Sequence, residues 1–72
     1  MQYVEIRFSR TRTVYIDGVE SGPTNTILRI GAGTHLFDLG WPADYLPPEV
    51  IRRIHGTNEL KPIIIEFDEV PL

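Results

Sequence analysis

Glycine and proline divide this chain into short runs of β-branched and aromatic residues that recur about every 8–12 positions. That punctuation favours strands and tight turns. The first run, Tyr3 to Phe8, alternates cleanly. Val4, Ile6 and Phe8 share one face, and Tyr3, Glu5 and Arg7 share the other. Ser9 to Arg12 is a polar loop. Thr13 to Ile16 is a second strand, with Val14 and Ile16 as its inward pair. Asp17-Gly18 follows at once, and such a pair between apolar runs marks a hairpin because a type I′ turn needs positive φ at both central residues. Val19 to Ser21 forms the return arm. Gly22-Pro23 is expected to break it, since proline cannot donate to a ladder.

Thr24 to Ile30 reads as the next β run, with Leu28 and Ile30 alternating against Ile27 and Arg29. Gly31-Ala32-Gly33 is a tight connection into Thr34 to Leu39. There His35, Phe37 and Leu39 take one face, and Leu36 and Asp38 the other. Gly40 to Pro48 is a turn-rich loop holding Trp41 and Tyr45. Glu49 to Ile54 supports two readings. Pro48, Glu49, the late Arg52, Arg53 and His55, and Gly56 suit a short helix and its macrodipole, and Val50, Ile51 and Ile54 fit a helical stripe. A helix that short is marginal alone, and the flanking runs are β, so the segment leans to strand with one short helical turn between Glu49 and His55 kept open. Pro62 to Val70 is the most β-branched run, with Ile63, Ile65 and Phe67 on one face. The expected fold class is all-β: one domain over residues 1–72, a small antiparallel β-sandwich of about six or seven short strands.

Length limits function further. A chain of 72 residues holds one thin core, because domains near sixty residues bury only about 60% of the surface their unfolded chains expose. A deep cleft with groups converging from several elements does not fit. With no cysteine there is neither a disulfide nor a thiolate metal site. The net charge of −3 provides no basic footprint for a polyanion. No apolar run approaches the ~18 residues of a membrane span, so membrane insertion is not expected. The chain opens directly into a strand pattern, which reads as a cytoplasmic protein or as a fragment of a cell-envelope protein.

Catalysis lacks its usual constellations. Only His35 and His55 could serve a nucleophile as base, and neither sits in a recognisable context. Their separation shows none of the close spacing of metal ligands, so local hydrogen bonding is the expected role and no metal or cofactor is expected. Asp68 and Glu69 are neighbours on an extended segment and point to opposite faces, which leaves them a solvated charged end. Gly31-Ala32-Gly33 lacks the third glycine of a dinucleotide loop, since Leu36 stands there. Arg7, Arg10 and Arg12 form the local positive cluster. They fit either a solvated strand edge or, in a small β-barrel, a groove for single-stranded nucleic acid.

The aromatic residues are the candidate binding groups: Tyr3, Tyr15, Trp41 and Tyr45. If strands one and two are neighbours, Tyr3 and Tyr15 form an outward platform for a sugar ring or a protein hot spot, or else a cross-strand pair that stabilises the sheet. Trp41 and Tyr45 suit a plug on the open end of the core.

From Thr13 to Tyr45 the chain resembles the PEGA domain family. The match runs through Val14-Tyr15-Ile16-Asp17-Gly18, Gly22-Pro23-Thr24, Ile30, Gly33-Thr34-His35 and Tyr45. Arg12-Thr13, Asn25 and Asp44 depart from the family pattern. The resemblance implies a small, non-catalytic β-sandwich of bacterial or archaeal proteins, often an accessory envelope module, with Asp17, Gly18, Gly22 and Gly33 as structural turn residues. The expected function is a binding or scaffolding module acting through a sheet edge or aromatic face. A protein partner or self-association is expected first, carbohydrate is the alternative, and single-stranded nucleic acid is the further one.

Overall fold

The computed structural model describes residues 1–70, which form strands and no helix. Seven strands run four to six residues: β1 (Gln2–Arg7), β2 (Thr13–Ile16), β3 (Val19–Pro23), β4 (Ile27–Ile30), β5 (Gly33–Asp38), β7 (Val50–Ile54) and β8 (Ile63–Glu66). Two more, β6 (Tyr45–Leu46) and β9 (Asp68–Glu69), are two residues each. One sheet has the order β4-β1-β8, a second β3-β2-β5-β7, and the short strands make a third, β6-β9. The alternation seen in the sequence places Val4, Ile6, Ile30 and Ile65 on the inner face of the first sheet. Val14, Ile16, Phe37 and Ile54 line the inner face of the second, and all eight are buried in one cluster. The all-β sandwich is therefore the observed fold.

Five of the six strand pairs are antiparallel, as expected. The exception is β1 with β8, which run parallel from Val4↔Ile63 to Arg7↔Glu66. Parallel strands need a long connection, and here nearly all the intervening chain supplies it.

Other differences have local causes. The short helix kept open over Glu49 to His55 is absent, and Val50–Ile54 is a strand. A helical stripe would bury Val50, Ile51 and Ile54 together, yet Ile51 is 64% exposed while Ile54 is buried. Period two wins because β5 pairs with this strand at all five positions, from Phe37↔Val50 to Gly33↔Ile54. The run expected from Thr24 begins only at Ile27. Thr24 and Asn25 instead make a polar corner. The buried Thr24 hydroxyl donates to the Arg10 carbonyl at 3.0 Å and accepts from the Arg12 amide at 2.9 Å. Asn25, at φ 64°, donates its amide to the Ile6 carbonyl and accepts from the Phe8 amide through its side chain. Gly22-Pro23 does not end β3: Pro23 still pairs with Thr13, and the register shifts between Val14 and Tyr15, leaving Ser21 as the extra residue of a bulge. Proline is tolerated because β3 is an edge strand. The final β-branched run splits at Phe67 into β8 and β9.

One end of the sandwich is closed by aromatic rings and charge. Tyr45 meets Phe67 and Phe8 edge-on, at centroid distances of 5.4 and 6.4 Å. Its hydroxyl accepts from the Leu39 amide. Over this cluster lies buried Asp44, whose carboxylate accepts from both Arg10 and Arg12. Arg12 also donates to the carbonyls of Leu39, Gly40 and Pro42, and its guanidinium stands 5.6 Å from the Tyr45 ring. Burial pushes the Asp44 carboxyl up, but the hydrogen bond from Arg12 and the charges of Arg10 and Arg12 together outweigh it and hold the group below the ordinary carboxylate value.

Arg12 is the more enclosed arginine, its side chain 12% exposed against 50% for Arg10. Water can replace the Arg10 contact and cannot readily replace the Arg12 ones. Arg12→Met is therefore expected to lower Tm by on the order of 10 °C, and Arg10→Met by only a few degrees. Thermal unfolding followed by circular dichroism checks the order; equal losses would show that the two ion pairs are equivalent.

Candidate functional site

The most open feature of the larger sheet is the free edge of β7. Which main-chain groups it presents follows from the ladder. The Asp17 amide donates to the Leu36 carbonyl at 2.7 Å, so the polar groups of Leu36 face β2. In antiparallel pairing these groups alternate sides along a strand. Gly33, His35 and Phe37 therefore bond to Ile54, Arg52 and Val50, their partners in β7. The N–H and C=O of Ile51 and Arg53 are left pointing away from the sheet. Ile51, Arg52 and Arg53 are all exposed, and among the described residues neither arginine makes an ion pair.

The other edges are shorter or obstructed. β3 carries the bulge, Gly22 and Pro23, and its Val19 carbonyl already accepts from the Ser21 hydroxyl. β4 and β8 offer four residues each against five in β7.

A second feature lies on the outer face of the smaller sheet. Tyr3, Ile27 and Arg29 line a shallow depression of about 430 Å³ with Glu59 and Leu60 from the loop before β8. The Tyr3 hydroxyl donates to the Glu59 carboxylate at 3.2 Å, and the Tyr3 amide to the Thr57 hydroxyl. Arg29 has no ion-pair partner among the described residues. A further depression, of about 470 Å³ between the Thr11–Thr13 segment and β3, includes Arg12, which is already committed to Asp44.

The expected aromatic groups are not brought together. Tyr3 is on β1 and Tyr15 on β2, strands of different sheets, so no Tyr3–Tyr15 platform or cross-strand pair exists. Tyr15 lies on the outer face of the larger sheet opposite Asp38, with Gly40 close against its ring. A Cβ at Gly40 would stand 2.6 Å from the tyrosine Cε2. Trp41, placed in the end plug by the sequence, is 89% exposed, whereas Tyr45 is 7% exposed and belongs to the core rather than to a binding surface. The plug is built by Tyr45 with Phe8, Phe67 and Asp44, so Tyr45 takes its expected place in it and Trp41 does not. The sequence pattern does not single out Arg52, Arg53, Arg29, Glu59 or Leu60 as candidates; the one signal it carries is two adjacent arginines inside a β-branched run.

The positive cluster is compensated by carboxylates. Arg7 bonds Glu5 at 2.7 Å, Arg10 bonds Asp44 and Glu69, and Arg12 bonds Asp44. Neither a freely solvated edge nor an open basic groove is formed by these three residues. Among the described residues, no group of three or more His, Cys, Asp or Glu side chains is placed to hold a metal ion.

His35 does bond locally. Asp17 and Gly18 sit at φ 54° and 79°, the positive values that the hairpin turn requires. Gly22 and Gly33 also lie at positive φ, but inside β3 and at the start of β5. From the turn, one Asp17 oxygen accepts from the Leu36 amide at 2.9 Å, and the other lies 2.6 Å from His35 Nδ1. His35 Nε2 lies 2.8 Å from the Gly31 carbonyl. A neutral imidazole can donate to only one of these acceptors, while the imidazolium satisfies both. The bond to Asp17 accordingly holds His35 above its ordinary pKa, and the bond to His35 holds Asp17 below its own.

No family model matches the chain, and neither a curated protein nor a solved structure is significantly similar to it.

The clasp has a pH signature. The His35 contribution is complete below the unfolded value near 6.5 and disappears as pH rises through the raised folded value. The Asp17 contribution is complete above its unfolded value near 3.9 and disappears as pH falls through the lowered folded value. The excess stability of the wild type over Asp17→Asn should therefore be greatest near pH 5 and shrink above neutrality. A carbon-detected NMR titration should place the His35 midpoint above 6.5 in the wild type and lower in the variant. Unchanged midpoints would remove the clasp as a charged interaction.

Proposed function

We propose that this chain is a non-catalytic binding module that engages a protein partner by adding an extended strand to the β7 edge. The observation that carries this reading is the pair of outward main-chain faces at Ile51 and Arg53, on the longest uninterrupted edge of the sandwich. Strand addition gains affinity from main-chain bonds and specificity from alternate side chains, so it needs no deep pocket. The resemblance to the PEGA domain family points the same way, toward a small accessory module without catalytic residues.

The test uses proline as a backbone probe. Peptides are selected from a random display library on the intact domain, and their affinities measured by fluorescence anisotropy. Ile51→Pro deletes an outward donor while leaving the β5 ladder whole, and should weaken the selected peptides about tenfold or more with Tm within a few degrees of wild type. Arg52→Pro deletes a donor to β5 and should lower Tm strongly. Peptides that bind Ile51→Pro as well as the wild type would refute edge addition.

A second reading, carbohydrate binding, is favoured by the Tyr3 depression, where a tyrosine ring stands beside a carboxylate and an arginine. Aromatic rings stack on sugar faces, and flanking charged groups hydrogen-bond the hydroxyls. A glycan array probed with the domain should then give signals lost in Tyr3→Ala. An array with nothing above background would eliminate this reading.

A further inference from the structure

Building on the strand-addition reading, we infer that the β7 edge selects an acidic extended segment, one with two adjacent carboxylate side chains followed or preceded by an apolar residue.

The argument begins with the unbalanced charge on the strand. Of the seven Lys and Arg residues, Arg7, Arg10 and Arg12 are neutralised by carboxylates within the fold. Arg52 and Arg53 stand side by side without such partners among the described residues, on the strand whose edge is open. Their cross-strand neighbours in β5 are His35 and Thr34, and neither is acidic. Because successive side chains point to opposite faces, an added strand must answer one guanidinium on each face of the sheet. Adjacent acidic residues do so. The position beside Ile51 lies on a face where this side chain is largely exposed, and an apolar residue there covers it. Read antiparallel to Ile51-Arg52-Arg53, the matching segment is acidic, acidic, apolar; read parallel, it is apolar, acidic, acidic.

The same geometry disfavours a second copy of the chain in the centred register. Pairing β7 with itself about a two-fold axis through the strand centre stacks Arg52 on its own counterpart, and like charges directly opposite are destabilising. The chain's one adjacent acidic pair, Asp68-Glu69, is flanked by Phe67 and Val70 and so matches both orders. It is already engaged: Asp68 and Glu69 pair with Leu46 and Tyr45, Glu69 bonds Arg10, and the Val70 amide donates to the Asp44 carbonyl. A separate protein with an acidic strand is the occupant that the charge of Arg52 and Arg53 favours. Positive charge on an edge also deters unwanted sheet growth; here the same two residues reject one kind of strand and accept another.

The experiment compares three labelled synthetic peptides of equal length, built on alternating valine and threonine with a central Glu-Glu, Gln-Gln or Lys-Lys pair. Anisotropy with the intact domain should show the Glu-Glu peptide about tenfold tighter than Gln-Gln, as two partly exposed ion pairs allow, and Lys-Lys weaker still. The difference should shrink as salt is raised. Arg52→Glu combined with Arg53→Glu should invert the order, and Arg52→Gln with Arg53→Gln should level it if the reversed variant proves unfolded by circular dichroism. Equal binding of Glu-Glu and Gln-Gln peptides, lost in Ile51→Pro, would overturn the acidic preference and leave edge addition standing. Failure of all three peptides and of the display selection would overturn both. Dimerisation seen by sedimentation velocity and abolished by Ile51→Pro would replace the acidic partner with a second copy.

Discussion

The Asp44 carboxylate is the constraint on which one whole end of this molecule depends. It gathers Arg10 and Arg12 from the loop between β1 and β2, and the second of these holds the carbonyls of Leu39, Gly40 and Pro42. Glu69 completes the set through Arg10. Three chain segments distant in sequence thus meet over the Phe8–Tyr45–Phe67 cluster. A sandwich of this size cannot extend its apolar core to cover its own end. Charge does that instead, and among the described residues each buried side-chain nitrogen and oxygen finds a partner. Removing one member leaves the others without their counter-charge, which is why such a cap is sensitive to its most enclosed arginine.

Much of the fold was legible because period-two alternation is a direct record of which face is buried. Val4 with Ile6, Val14 with Ile16, Leu28 with Ile30, and Ile65 with Phe67 all read correctly, and Asp17-Gly18 announced its turn. What alternation does not encode is which strand lies beside which. The parallel β1–β8 pair and the placement of β1 and β2 in different sheets are long-range facts, and the Tyr3–Tyr15 platform failed on them. Thr24-Asn25 failed differently. A threonine near a β run resembles a strand residue until its hydroxyl is seen bridging Arg10 and Arg12. The site was less legible than the fold, since an open edge is defined by the strand that is not there. Arg52 and Arg53 carried a signal, but only the sheet order gives it meaning.

The four edges of the two larger sheets are not equivalent. β3 blunts its edge with a bulge and a proline, and the Asp17 turn at its start is tied down by Leu36 and His35. That side of the larger sheet is finished. The β7 side ends on solvent-facing main-chain groups and on two arginines without an ion-pair partner among the described residues. The proposed strand addition rests on this asymmetry between the two sides.

The parallel pairing of β1 with β8 also sets the order in which the molecule can form. β1 is the central strand of its sheet, so Val4 needs Leu28 on one side and Ile63 on the other. The hairpin of β2 and β3 can close locally, but the first sheet cannot be completed until the chain has looped back over nearly its whole length. Loop closure of that span must be offset by contacts made only at the end. Kinetically, a chain of this topology belongs with the slow-folding β proteins, in the range of roughly milliseconds to seconds, despite its small size.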